Sequence, residues 1–296
     1  MPEPALAVAT GSSRLLPIIG HPIAQVRSPE VWSAMFRLHR IDAVCVPVHV
    51  RPEGLAAFFG AARAIENLCG VIVTIQHKVA ALDFVDDLTE RSRLVRSVNF
   101  VAIGPGGRWV GDTVDGTGFV ANLCAGGDDP RGRRTLLVGV GGAGTAIAFA
   151  LAEAGTRELV VSDLDRDRAS DVAARLRAIG TPAVAGPPDP AGFDLVVNAT
   201  PVGMKADDPL PIDVERIDPT TVVADVIVEP SRLTRLAAER GCRVHTGAGM
   251  MDHQLEPMAR HLGYGHLDWS ARTVARVARG LSRSDELPPP LEQEPA

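Results

Sequence analysis

The sequence predicts an α/β protein of two domains, the first a mainly parallel sheet with an antiparallel edge. Three observations carry this. Short β-rich runs alternate with segments of helical spacing along most of the chain, as in parallel sheets whose strands are joined by helices. The runs of the second half are continuously apolar, as strands covered on both faces are. The chain has 296 residues, 46% of them apolar, which is material for one large domain or two ordinary ones.

In the first half LLPIIG (15–20), VCVPVHV (44–50) and GVIVTI (70–75) read as strands. Ser28 is the expected N-cap and Pro29 the first residue of the helix after the first strand, and Pro52 starts the next helix. SVNFVAIG and RWVGDTV flank Pro105-Gly106-Gly107 and predict a hairpin. The polar stretch GGDDPRGRR (126–134) marks a domain boundary. Beyond it TLLVGV (135–140), ELVVSD (158–163), DLVVNAT (194–200), TVVADVIV (221–228) and CRVHTG (242–247) are strands. Helical spacing returns in MMDHQLEPMARHL and SARTVARVARGL. Residues 1–12 and 284–296 hold little to bury and read as disordered tails.

Composition removes several function classes. A net charge of −6 without a basic block argues against nucleic acid as a partner. Neither a membrane span nor a secretory leader is evident, so the cytoplasm is expected. The four cysteines are scattered, with no ligand spacing, and predict free buried thiols rather than zinc or disulfides; no metal is expected. Among 30 basic residues only Lys78 and Lys205 are lysines, and Tyr264 is the one tyrosine. Richness in Ala, Gly, Pro and Arg suggests a nucleotide-composition bias behind this.

The turn Gly139-Val140-Gly141-Gly142-Ala143-Gly144 follows a strand and opens a helix, the context of a dinucleotide fingerprint. Gly139 permits the tight turn, and Gly141 allows close approach of a pyrophosphate. Ala143 and Gly144 let the helix sit close to the sheet, with its free N–H groups toward the anion. About twenty residues on, Ser162-Asp163 ends the next strand, where a carboxylate can accept from ribose hydroxyls. The second domain is therefore a Rossmann domain. Asp163 would repel a 2′-phosphate, which favours NAD over NADP, while Arg166 and Arg168 keep NADP open.

With these pieces in place the sequence resembles the shikimate/quinate dehydrogenase family along nearly its whole length. Gly20-His21-Pro22-Ile23 with Ser28-Pro29 is similar to the GxPIxHSxSP motif, Val73-Thr74 with Lys78 to NVTxPxK, and Ser97-Val98-Asn99 to GAVN. Asp115-Gly116 with Gly118-Phe119 resembles NTDGxGF. Asn198, Thr200, Gly203 and Met204 fit NxTxxGM, Asp225 with Pro230 fits DxxYxP, and Gly249-Met250 with Gln254 fits GxxMLxxQ. The resemblance implies a substrate domain over 13–125, a cofactor domain over 133–250 and helices over 251–283 that return to the first domain. It implies a small-molecule substrate and a cleft between the domains.

Oxidising a secondary alcohol with a nicotinamide cofactor needs a base at the hydroxyl, and the reverse needs an acid there. The resemblance assigns Lys78 to that role with Asp115 as partner. It makes Ser28, Thr74, Asn99 and Gln254 substrate neighbours, and Asn198, Thr200, Gly203, Met204, Gly247 and Met250 cofactor neighbours. His77, adjacent to Lys78 on a helical reading, diverges from it by about 100° and is expected to be structural. Glu256 and Asp252 are expected on a solvated face.

The departures cluster at one end of the pocket. Val26, Ile72 and Ile227 stand where the family carries a serine, an asparagine and a tyrosine that help hold the substrate carboxylate; only Ser28 remains. Each lost hydrogen bond to a charged group is worth roughly 1.5–3 kcal/mol, so two lost donors imply about two to four powers of ten in shikimate affinity. The expected substrate carries a hydroxyl or ketone at the reacting end and something less anionic, or differently held, at the other. Arg27 as a replacement donor, and tolerated variation in a working shikimate or quinate dehydrogenase, remain open. Competing functions are a non-catalytic NAD(P)-binding regulatory protein of the same fold, which would not need the Lys78–Asp115 pair, and folate-linked dehydrogenase chemistry. A monomer or homodimer is expected.

Overall fold

The computed structural model describes residues 9–205 and 207–281. The first sheet holds β1 (Arg14–Gly20), β2 (Ala43–His49), β3 (Gly70–Val73), β4 (Asp87–Leu88), β5 (Phe100–Ile103) and β6 (Trp109–Asp112), in the order β2-β1-β3-β5-β6-β4. The second holds β7 (Arg134–Val138), β8 (Glu158–Ser162), β9 (Ala183–Ala185), β10 (Leu195–Asn198), β11 (Val222–Asp225) and β12 (Arg243–His245), in the order β12-β11-β10-β7-β8-β9. Every pairing in it is parallel, which is the doubly wound dinucleotide-binding order. The helices are α1 (Ser28–Leu38), α2 (Leu55–Ala62), α3 (Glu90–Val95), α4 (Asp115–Ala125), α5 (Gly142–Glu153), α6 (Arg166–Ala178), α7 (Arg232–Glu239), α8 (Gly247–His261) and α9 (Ala271–Leu281). None of them is long and apolar enough to cross a membrane.

Continuous apolarity in the second-half strands has the expected cause. Leu137, Val161 and Val197 pack with Ile147 and Leu151 of α5, whereas their neighbours Leu136, Val160 and Val196 pack with Leu233 and Ala237 of α7. Successive residues point to opposite faces, and both faces are covered.

Several local expectations shift. The hairpin forms, but its antiparallel strand β5 lies inside the sheet between β3 and β6, and the two-residue β4 takes the edge. Strands as short as β4 and β9 leave no periodic signal. α1 starts at Ser28, so Arg27 and not Ser28 occupies the N-cap, without a side-chain cap; Pro29, whose fixed φ suits the first turn, sits within it. Pro52 begins a short 3-10 turn that runs into α2. The run 221–228 stops as a strand at Asp225, because its carboxylate accepts from the Ile227 amide at 3.0 Å and from Ser231 Oγ at 2.6 Å and turns the chain. Cys45, Cys69 and Cys242 are buried free thiols, but Cys124 is exposed. The N-terminal tail lies outside the described residues except for 9–12, where the Thr10 and Ser12 hydroxyls donate to Asp42 at 3.0 and 2.8 Å. The expected C-terminal tail, 284–296, lies outside the described residues altogether.

Two features join the halves. Leu255, Met258 and Ala259 of α8, with Trp269, Val274 and Ala278, share one core with Leu16, Ile18, Trp32 and Phe36 of the first sheet and α1. The Trp32 and Trp269 ring centroids are 5.0 Å apart. α4 meets α5 at Gly116, where a Cβ would lie 2.1 Å from the Ala146 carbonyl oxygen, so only glycine permits this approach.

Asp112, fully buried at the end of β6, ties three elements together. It accepts from Arg91 Nε and Thr89 Oγ1, both at 2.6 Å, and from the Thr113 amide at 2.8 Å, and it contacts His261 Nε2 at 2.6 Å. Burial pushes its carboxyl up, but Arg91, His261 and Thr89 outweigh this and hold it well below the ordinary carboxylate value. Its contribution to stability is therefore present above about pH 4, the unfolded value, and is lost as pH falls toward the folded one. Asp112→Asn is expected to lower stability by about 2 kcal/mol near neutrality, a modest figure because Arg91 is half-exposed. Thermal unfolding should show the gap to wild type closing below about pH 4; a gap constant with pH would refute the assignment.

Candidate active site

Lys78 lies in an irregular turn after β3, not on a helix as read from the sequence. The turn is pinned on both sides. The buried His77 ring contacts the Val50 carbonyl oxygen through Nε2 at 2.7 Å, and the Lys78 carbonyl accepts from the Val98 amide at 2.8 Å. His77 thus has the structural part expected of it, though through a turn rather than through helical divergence.

Lys78 Nζ donates to Asp115 Oδ2 at 2.5 Å. Asp115 is the first residue of α4, and its other oxygen accepts from Asn99 Nδ2 at 2.9 Å and Gln254 Nε2 at 3.3 Å. The Asn99 side-chain oxygen accepts from the Val114 amide at 2.9 Å, which fixes the amide's orientation. Four segments far apart in sequence thus converge. Within the ion pair the Lys78 side chain keeps 17% exposure against 4% for Asp115, so the ammonium is the member presented outward.

The glycine turn lies directly beside this cluster. A Cβ on Gly142 would stand 3.1 Å from Lys78 Cβ. α5 starts at Gly142 with Gly141 as its N-cap, and Gly139 has φ +92°. A Cβ on Gly144 would fall 2.0 Å from the Gly139 carbonyl oxygen, whereas one on Gly141 would meet nothing within 4 Å. The turn is therefore closed toward the sheet and open outward at Gly141, with Ala143 half-buried beside it. Gly144→Ala is expected to force the turn apart, lowering the unfolding temperature by several degrees; an unchanged melt would contradict this packing.

Asp163 lies just past β8. It accepts from the Val140 amide and from Arg168 Nη2, each at 2.8 Å, and from the Asp165 amide at 2.9 Å. Burial raises the carboxyl, but Arg168 and these amides outweigh it and hold it below the usual range. Beside it opens a cavity of about 640 Å³ whose lining includes Leu164, Arg166, Ala185, Gly186 and Pro187. An open anion-facing turn, an ionised acceptor and an adjoining cavity fit a dinucleotide.

Other expected cofactor neighbours shape the surroundings. Asn198 is buried, and its amide donates to the Val202 carbonyl and to Asp225 Oδ1, while its oxygen accepts from Thr200 Oγ1 at 2.7 Å. It therefore holds the loop that carries Gly203, at φ +105°, and the exposed Met204. Gly247 opens α8 against the Val226 carbonyl, and Met250 is buried with Phe119 and Leu123.

At the substrate end Ser28 is half-buried at the start of α1, and Thr74 sits at the end of β3 against Gly20. Val26 and Ile72 join one apolar cluster, whereas Ile227 lies apart from it, across from Gly203. Arg27 Nη1 is 4.0 Å from Glu229 Oε1, and its charge also acts on Asp252. Asp252 is not on a solvated face: it is half-buried, and burial pushes its carboxyl up to about 6. Glu256 does lie on the outer face, paired with Arg260 at 2.5 Å. Sequence reading missed the Asp112 hub, whose partner His261 is 149 residues away and carries no motif.

The chain is similar to known proteins along most of its length. The model of the shikimate dehydrogenase substrate binding domain matches residues 18–101. The NADP(+) shikimate dehydrogenase of Rubrobacter xylanophilus is 36% identical over 252 residues, covering 82% of this chain and 88% of that protein. The chain belongs to the shikimate dehydrogenase family. Among solved structures, ligand-free 5-ketofructose reductase of Gluconobacter sp. strain CHM43 superposes with a TM-score of 0.78 at 30% identity, covering 91% of this chain and 99% of that one. Quinate dehydrogenase from Corynebacterium glutamicum in complex with NAD gives a TM-score of 0.79 at 28% identity, covering 92% and 99%. As a member of this family the protein is an oxidoreductase of the shikimate/quinate dehydrogenase type, acting on CH–OH with a nicotinamide dinucleotide.

Proposed function

We propose that the enzyme interconverts a secondary alcohol and a ketone on a polyhydroxylated small molecule without a carboxylate, using NAD(H). The observation that carries the reading is the Lys78–Asp115 pair beside Gly142, with the Lys78 methylenes lying against the glycine turn. A nicotinamide dinucleotide held through its pyrophosphate at the glycine turn would supply the hydride acceptor or donor. As the neutral amine Lys78 takes the hydroxyl proton during oxidation, and as the ammonium it gives a proton to the ketone oxygen during reduction. Asp115 orients the ammonium, Asn99 and Gln254 hold Asp115, and Ser28 and Thr74 face the remaining hydroxyls.

The neutral substrate is supported by Val26, Ile72 and Ile227, none of which can donate to a carboxylate. A relative named for 5-ketofructose, a sugar ketone, is in keeping with such a pocket.

NAD is supported by Asp163, a carboxylate at the edge of the cavity whose partner Arg168 is already engaged with it at 2.8 Å, while Arg166 in the cavity lining is the residue a 2′-phosphate would use. Asp163→Ser is expected to shift the NADPH-to-NADH affinity ratio about tenfold or more toward NADPH, the equivalent of one repelling contact of about 1.4 kcal/mol. Fluorescence titrations with both cofactors check it, and much tighter NADPH binding by the wild type would overturn the preference.

On this reading residues 13–125 form the substrate domain, residues 133–250 form the cofactor domain, and residues 251–283 return to the first. The protein acts in the cytoplasm as a monomer or homodimer on small molecules, apart from nucleic acid and membranes.

A further inference from the structure

We propose that Ser97 is a cofactor ligand, its hydroxyl donating a hydrogen bond to the pyrophosphate of the nicotinamide dinucleotide at the start of α5. The inference rests on the cofactor reading above and adds to it a residue from the first half of the chain. Ser97 is fully buried, and its Oγ has no hydrogen-bond partner among the described residues. Buried hydroxyls without a partner are destabilising and uncommon, and call for a reason. The Ser97 carbonyl accepts from Ser92 Oγ at 2.9 Å.

Its position supplies the reason. Ser97 Oγ stands 3.0 Å from where a Cβ on Gly142 would be, on the same side as Lys78 Cβ. Gly142 is the first residue of α5, a helix of 12 residues, and the amides of its first turn have no acceptor four residues back. These amides and the helix dipole favour an anion there. Gly142 has no side chain to stand between the hydroxyl and an anion held by these amides. Packing alone would favour alanine, the residue of the GAVN segment that Ser97-Val98-Asn99 otherwise resembles.

The test is Ser97→Ala, a substitution the fold accommodates because it only removes an unpaired buried atom. Dissociation constants for NADH, ADP-ribose and AMP, and the unfolding temperature without ligand, are measured for both proteins. Expected is about tenfold weaker binding of NADH and ADP-ribose, the loss of one hydrogen bond to a charged group, with AMP unchanged and the ligand-free unfolding temperature equal or higher. Unchanged or tighter NADH binding, an equal loss for AMP, or a loss for NADH that ADP-ribose does not share would overturn the proposal. Failure of the wild type to bind NADH would remove the cofactor reading and this inference together. Normal wild-type binding with an unaffected variant would remove only the inference.

Discussion

Lys78→Ala is expected to lower kcat by about three powers of ten on any substrate the wild type turns over, the usual contribution of a positioned acid/base. NADH affinity should stay within about threefold, because only the Lys78 methylenes, not its ammonium, lie against the glycine turn. Lys78→Arg should fail nearly as badly: guanidinium keeps the charge and can reach Asp115, but it does not release a proton near neutral pH. Together the variants separate proton transfer from charge. An alanine variant with full kcat would end the mechanism, and an active arginine variant would make Lys78 an electrostatic anchor rather than an acid/base. Asp115→Asn should also lower kcat, since the amide keeps the shape of the cluster but no longer offers the ammonium a charged partner.

The second large effect concerns substrate charge. For paired substrates differing in a carboxylate, kcat/KM is expected to favour the neutral polyol or its ketone, with shikimate and quinate weaker by about two to four powers of ten than in an enzyme that keeps the missing donors. The cause is that the side chains of Val26, Ile72 and Ile227 offer the anion no donor. Ile227→Tyr and Ile72→Asn together should recover part of the deficit for shikimate, chiefly in KM, since a contact equal in ground and transition states lowers KM without raising kcat. A steady-state screen of alicyclic hydroxy-acids and neutral sugar ketones with both cofactors decides the point. Shikimate or quinate turnover with a micromolar KM would sink the neutral-substrate reading.

Much of this was legible in the chain because the signals are local. A parallel sheet covered on both faces needs unbroken apolar runs, and a helix brought close to a strand needs glycine at fixed offsets, so β7, the turn and α5 can be read within twenty residues. The motif around Asn99 and the one around Asp115 are equally local, although nothing in either says that their side chains bond to each other. Strands β4 and β9 escaped because two or three residues carry no period, and β5 was misplaced because a hairpin specifies its partner strand but not which side of the sheet receives it.

The sequence by itself determined the class of fold, the glycine turn that opens α5, the family and the residue types available for proton transfer, since each depends on short-range pattern. Only the tertiary structure decided that Lys78, Asn99, Asp115 and Gln254 form one hydrogen-bonded cluster. It alone put Asp252 in a half-buried setting beside Arg27 and turned the Ser97 hydroxyl toward Gly142 without a partner. The physical reason is common to all three. Whether a polar group is satisfied depends on atoms brought within about 3 Å by packing, and those atoms come from segments whose separation along the chain leaves no trace in the local pattern.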